Sequence, residues 1–181
     1  MNIYIDSDGV LSDFEAWIKT TDCKDRFDPK EVCITMRDYQ DTVFIDAKPK
    51  KTFLWKLLSK EDVKVLTALP EKDQFITFFN SEDEYNKCVQ KMTENKYKWF
   101  ERNGISREKV IVVSTRKEKF TYCKNNDVLF DDYEKTVKEW SKMGGKGILV
   151  KNTESKGQKD FSFLKKLLLD IKMVYYRLKY V

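Results

Sequence analysis

The sequence predicts an α/β fold: a mainly parallel sheet flanked by helices, with a small insert after the first strand. Short β-branched runs, at 3–5, 63–69, 110–114, 128–130 and 148–150, alternate with stretches whose apolar residues recur at helical spacing. Such alternation argues for parallel strands joined by crossover helices. Acids, a hydroxyl and lysines also gather where the runs end: Asp6, Asp8, Thr67, Lys117, Lys119, Asp131 and Asp132. In open parallel sheets that rim is where ligands bind.

Taken in order, Ile3-Tyr4-Ile5 reads as a buried strand that meets Asp6 and Asp8. A period of two puts both carboxylates on one side, and two like charges in one place call for a cation. Carboxylate oxygens suit a hard ion such as Mg²⁺. Gly9 suits a sharp turn after the strand. A surface turn explains the same residues more blandly, and an EF-hand calcium loop is disfavoured because a strand, not a helix, precedes Asp6. Leu11, Phe14, Trp17 and Ile18 predict a helix over 10–20 whose N-terminus faces the acids.

From 21 to 46 the periodicity lapses, and residues 15–47 read either as a cap that closes over a site or as a packed surface connection. Pro49 predicts the start of a helix reaching residue 60, with Phe53, Leu54, Leu57 and Leu58 on one face. The strand at 63–69 carries Thr67. Residues 71–81 fit a short strand or a helix equally well. Tyr85, Cys88, Val89, Met92, Tyr97, Trp99 and Phe100 predict a long helix from 82 that Asn103-Gly104 ends.

A strand at 110–114, a basic run at 115–119 and a turn at Asn125-Asn126-Asp127 lead to Val128-Leu129-Phe130-Asp131-Asp132. One of those acids is accounted for as an N-cap of the next helix, 133–143; the second is not. Gly144, Gly145 and Gly147 admit a last strand. From Phe161, Leu164, Leu167, Leu168, Ile171, Val174, Tyr175 and Leu178 form the apolar stripe of an amphipathic helix opposite lysines. Docking on the sheet is the favoured role, with a membrane or partner surface as the alternative.

Composition excludes several function classes. The chain has 181 residues, 41% hydrophobic and 36% charged, which suits one domain over 1–181 with 15–47 as its insert. No apolar run approaches the ~18 residues of a spanning helix, and the chain enters a strand without a basic and apolar leader, so a soluble cytoplasmic protein is expected. No histidine is present, which removes Ser-His-Asp triads, Cys-His dyads and His-ligated metals. Four cysteines without Cys-x-x-Cys spacing suggest neither a zinc site nor a redox pair. A net charge of +5 with scattered lysines favours a small anionic partner over a stable nucleic-acid complex.

Asp6-Ser7-Asp8-Gly9-Val10-Leu11 resembles the Asp-x-Asp-Gly-(Val/Thr)-Leu signature of the haloacid dehalogenase (HAD) superfamily of phosphotransferases, with Thr67, a lysine and Asp131-Asp132 in the superfamily's order. The resemblance implies a Rossmann-like HAD core and phosphoryl transfer. Asp6 would be the nucleophile, forming an aspartyl-phosphate, and Asp8 the acid that protonates the leaving oxygen and later activates water. Thr67 and Lys119, or alternatively Lys117, would hold the phosphate, and Asp6, Asp8, Asp131 and Asp132 would hold Mg²⁺.

Within the superfamily the chain is most similar to the 5'(3')-deoxyribonucleotidases, in the stretches at 6–14, 96–101 and 128–132. The family phenylalanine lining the nucleotide pocket matches Phe14, and Phe44, near the end of the insert, could close over the other side of a base; alternatively both rings simply pack the insert onto the core. The insert is shorter than in animal members, and Thr67-Ala68-Leu69-Pro70 replaces a Thr-Ser-Pro. The expected activity is Mg²⁺-dependent hydrolysis of (deoxy)nucleoside monophosphates. Two rivals remain: a HAD phosphatase acting on another phosphomonoester, such as a sugar phosphate or polynucleotide end, and a non-enzymatic binding domain with an acidic rim.

Overall fold

In the computed structural model, which describes residues 1–151, the chain begins with β1 (Ile3–Ile5) and a tight loop. After it come β2 (Ser12–Asp13), α1 (Phe14–Ile18), α2 (Pro29–Asp38), β3 (Lys48–Pro49) and α3 (Phe53–Leu57). Next are β4 (Val63–Ala68), α4 (Lys72–Phe75) with a 3₁₀ turn at Ile76–Phe78, and the long α5 (Glu82–Arg102). The described chain closes with β5 (Val110–Val113), a 3₁₀ segment at Arg116–Tyr122, β6 (Val128–Asp131), α6 (Glu134–Lys142) and β7 (Lys146–Leu149).

The main sheet has the order β5-β4-β1-β6-β7, every pair parallel, as the alternation predicts. Ile3, Tyr4 and Ile5 lie between Val63-Lys64-Val65 on one side and Val128-Leu129-Phe130 on the other. The strand is central, and both faces of a parallel sheet are covered, so its residues are buried without alternation. The chain winds outward from β1 through β4 to β5, then returns to β6 and winds the other way. This reversal at β1 opens a crevice at the carboxyl ends of β1 and β6. Asp6 and Asp131 stand there.

Two local expectations are corrected. No helix spans 10–20: after Asp8 the backbone N–H groups of Val10, Leu11 and Ser12 all donate to the Ser7 carbonyl, at 3.2, 2.8 and 2.9 Å, wrapping a compact loop. Gly9 sits in that loop at φ +78°, and a Cβ there would run into the Asp132 carboxylate. Ser12-Asp13 then pairs antiparallel with Lys48-Pro49, and only after this does the five-residue α1 begin, capped by Asp13 Oδ1 accepting from Ala16 N at 3.1 Å. Pro49 likewise opens no helix. It lies in this edge ribbon, where a residue without an N–H is tolerated, and α3 starts at Phe53.

Insert 15–47 thus leaves and returns on a two-stranded neck. It contains a helix that the sequence pattern did not predict, α2, started by Asp28 and Pro29. Trp17, Ile18, Cys33, Met36, Val43 and Phe44 pack with Phe75, Tyr85, Cys88 and Met92, so the insert is seated on α5. Residues 71–81, open between strand and helix, form α4 and its 3₁₀ turn. Asn103-Gly104 ends α5 with Gly104 at φ +83°, as expected. Among the described residues no helix is long and apolar enough to cross a membrane. The amphipathic helix expected from Phe161 lies outside the described residues.

Candidate active site

Asp6 continues from the last residue of β1, Asp131 is the last residue of β6, and Asp132 follows it. Their backbones are fixed by the sheet: Asp6 N donates to the Phe130 carbonyl at 2.8 Å. Asp6 and Asp131 are buried, while Asp132 lies at the mouth with its outer surface exposed. Each offers a carboxylate oxygen within 4.8 Å of the others. Lys119, delivered by the 3₁₀ segment after β5, reaches in between: its Nζ lies 2.7 Å from Asp6 Oδ1 and 2.9 Å from Asp131 Oδ2. Lys117, the alternative, is exposed.

One lysine among three acids leaves an excess of negative charge in a poorly solvated place. Burial pushes Asp6 up to about 6 against the opposing pull of Lys119, with Asp131 and Asp8 adding to the rise. The cleft desolvates the Asp132 carboxyl, and Asp6, Asp131 and Asp8 add to this, pushing it up to about 7. Burial by itself would lower the Lys119 pKa, but Asp6 and Asp131 outweigh it and raise it. Three converging carboxylates short of positive charge, all of them hard oxygen donors, fit a Mg²⁺-sized cation.

This charge excess predicts a pH effect in metal-free buffer. Asp6 and Asp132 hold protons more tightly folded than unfolded, where both have a reference value of 3.8. Their contribution is fully present below that value and is lost as pH rises through about 6 to 7. Melting in EDTA between about pH 5 and 8 should show Tm falling with pH in the wild type and falling less in Asp132→Asn, and Mg²⁺ should raise Tm more at the upper end. Equal slopes in the two proteins would remove Asp132 from the cluster.

The Asp8 carboxylate is the correction here. It does not join the other acids: its Oδ1 accepts from Ser12 Oγ at 3.2 Å and its Oδ2 meets Lys96 Nζ at 2.5 Å. β1 ends at Ile5, so the alternation that would place Asp6 and Asp8 on one side stops before it reaches Asp8. Among the described residues, the acids brought together as candidate metal ligands are therefore Asp6, Asp131 and Asp132. Lys50 braces the loop from outside, with Nζ 3.3 Å from the Gly9 carbonyl and 3.7 Å from Asp13.

Lys96 is a site residue that sequence reasoning missed. Only 1% exposed, it also donates to Thr67 Oγ1 at 3.1 Å, linking β4 to the Asp8 loop. Its signal was in the sequence: Tyr85, Cys88, Met92, Lys96 and Trp99 follow helical spacing, so Lys96 is a charge on the buried stripe of α5. Thr67 is itself fully buried at the end of β4, in the predicted place.

Phe14 and Phe44 are brought together, with ring centroids 5.7 Å apart and planes tilted by 33°. This is a direct contact that leaves no slot for a base between them, so the two rings pack the insert rather than sandwich a ligand. Phe14 is half-buried; Phe44 is buried, with Lys96 Nζ 3.7 Å from its ring centroid.

Neither a protein-family model nor a curated protein matches this chain. Its own residues carry the functional argument.

Proposed function

We propose that this protein is a HAD-type, Mg²⁺-dependent phosphomonoesterase that works through an aspartyl-phosphate on Asp6, with (deoxy)nucleoside monophosphates as its substrates. The observation that carries the reading is the division of labour among the acids. Asp6 and Asp131 share Lys119 at 2.7 and 2.9 Å, whereas Asp8 stands apart on Lys96 and Ser12. A nucleophile needs cationic surroundings that also bind the phosphoryl group, and a proton donor needs a separate position facing the leaving oxygen.

Asp6 attacks phosphorus, and the bond from phosphorus to the ester oxygen breaks with its electron pair left on that oxygen. Asp8 takes up a proton when the anionic phosphoryl group binds beside it, since like charge favours its neutral form, and that proton passes to the departing alkoxide, giving the free alcohol. Lys96 compensates the carboxylate that Asp8 then becomes, so this pair matches the charge developing in the transition state. Asp8 next takes a proton from water as that water attacks phosphorus, and inorganic phosphate leaves with the Asp6 carboxylate restored. Lys119 neutralises phosphoryl oxygens. Asp6, Asp131 and Asp132 would hold Mg²⁺, which would supply further positive charge against the phosphoryl group.

The test is hydrolysis of p-nitrophenyl phosphate with and without Mg²⁺, followed by a panel of deoxynucleoside and ribonucleoside monophosphates and sugar phosphates. The reading expects metal-dependent turnover and a kcat/KM that favours nucleoside monophosphates. Turnover without that preference would point to another phosphomonoester. No metal-dependent turnover on any of them would leave a binding domain as the better account.

A further inference from the structure

Lys96 is covered and held by the insert. The turn that closes the insert is fastened to α5 by Asn95, whose Nδ2 donates to the carbonyls of Gln40, Asp41 and Val43 at 2.9, 3.3 and 3.2 Å. One turn further on, Trp99 Nε1 donates to the Ala47 carbonyl at 2.7 Å. Between these anchors Phe44 is bent to φ +69°, a conformation that costs a bulky side chain strain unless its surroundings over-determine it. The bend places the ring 3.7 Å from Lys96 Nζ. Phe44 is 4% exposed and Lys96 1%.

We propose that Phe44 and Asn95 are positioning residues for proton transfer: the insert's closing turn seals Lys96 from water and aims its ammonium at Asp8. The inference rests on the phosphomonoesterase reading above and assigns Phe44 a task other than stacking on a base. An ammonium against an aromatic face gains attraction without a competing carboxylate, and water excluded from around it strengthens its pull on Asp8 at 2.5 Å. Asn95 acts one step further back. It ties down three carbonyls of the turn, the last of them on Val43 next to Phe44, and so holds the ring on Lys96. The insert is thereby wired into the chemistry as well as covering it.

Help with the proton matters in proportion to how poor the leaving group is. p-Nitrophenolate departs without a proton, phenolate needs one more, and a sugar alkoxide needs it most. The experiment is therefore kcat/KM for wild type, Phe44→Leu, Asn95→Ala and Lys96→Met on p-nitrophenyl, phenyl and glyceryl phosphates, none of which carries a base. Phe44→Leu and Asn95→Ala should lose roughly tenfold on glyceryl phosphate and less than about twofold on p-nitrophenyl phosphate, and Lys96→Met should show the same order with a larger spread.

An equal fall on all three esters in the variants overturns the proposal and makes these residues mere supports of the fold. No loss on any of these base-free esters also overturns it. Wild-type protein without phosphatase activity overturns the underlying reading and this inference together, so the two failures are told apart by the wild-type lane. If Phe44→Leu does not fold, Lys96→Met and Asn95→Ala give the same discrimination.

Discussion

Asp6→Asn is expected to lower kcat by roughly 10⁴-fold or more, because an amide neither attacks phosphorus nor carries the charge that the site's cations balance. The fold should survive. Asn has the same shape, and the substitution reduces the negative excess of Asp6, Asp131 and Asp132 around the single ammonium of Lys119. In metal-free buffer near pH 8 the variant should melt no lower than the wild type, since the Asp6 carboxyl that burial holds up to about 6 is then charged in the wild type and absent from the variant. Steady-state kinetics with p-nitrophenyl phosphate and a thermal melt check both statements. Retention of more than a few per cent of turnover would remove Asp6 from the nucleophile's role.

Lys119→Ala should have the next largest effect, and it should fall on stability as well as turnover. The substitution leaves Asp6 and Asp131 buried without the ammonium that both contact, a situation that costs about 3–5 kcal/mol when one partner of a buried pair is removed. Losing a preorganised cation at the phosphoryl group should lower kcat by roughly 10²–10³-fold. Added Mg²⁺ should recover part of the lost Tm but little of the turnover. Lys117→Ala is the control: that side chain is exposed, and exposed charges typically contribute ~1 kcal/mol or less. Comparable mild losses in the two variants would show that Lys119 has no special part in catalysis.

The residues of the candidate site were legible where local rules governed them. Asp6, Thr67 and the acids at 131 and 132 sit at strand ends because apolar runs of strand length stop just there, and Asn103-Gly104 ends α5 because Gly104 takes a positive φ. What was misread depended on partners far along the chain. Leu11, Phe14, Trp17 and Ile18 have helical spacing, yet Ser12 and Asp13 are claimed by Pro49 and Lys48, and no window around residue 12 contains that pairing. Asp8 was placed with Asp6 by a period that ends at Ile5, and the lysine that turns it away is 88 residues on.

Lys96 shows a different limit. Its helical stripe was visible, but in a chain with 35 basic residues a lysine inside Lys-Tyr-Lys-Trp reads first as solvated surface. Treating a charged residue on an apolar stripe as a buried charge in need of a carboxylate would have found it. Phe14 and Phe44 are readable as a pair in the sequence, whereas their direct contact and the seat of Lys96 against Phe44 follow from how the insert is fastened to α5.

The central claim, a covalent phosphoryl transfer through Asp6, is tested most directly by trapping. Wild-type protein is mixed with a phosphomonoester and Mg²⁺, quenched in acid during turnover, and its peptides are weighed and fragmented. The account predicts one added phosphoryl group on the Asp6 carboxylate of the N-terminal peptide, dependent on Mg²⁺, lost after the substrate is exhausted and absent from Asp6→Asn. A phosphoryl group on another residue, or undiminished hydrolysis by Asp6→Asn, would contradict it.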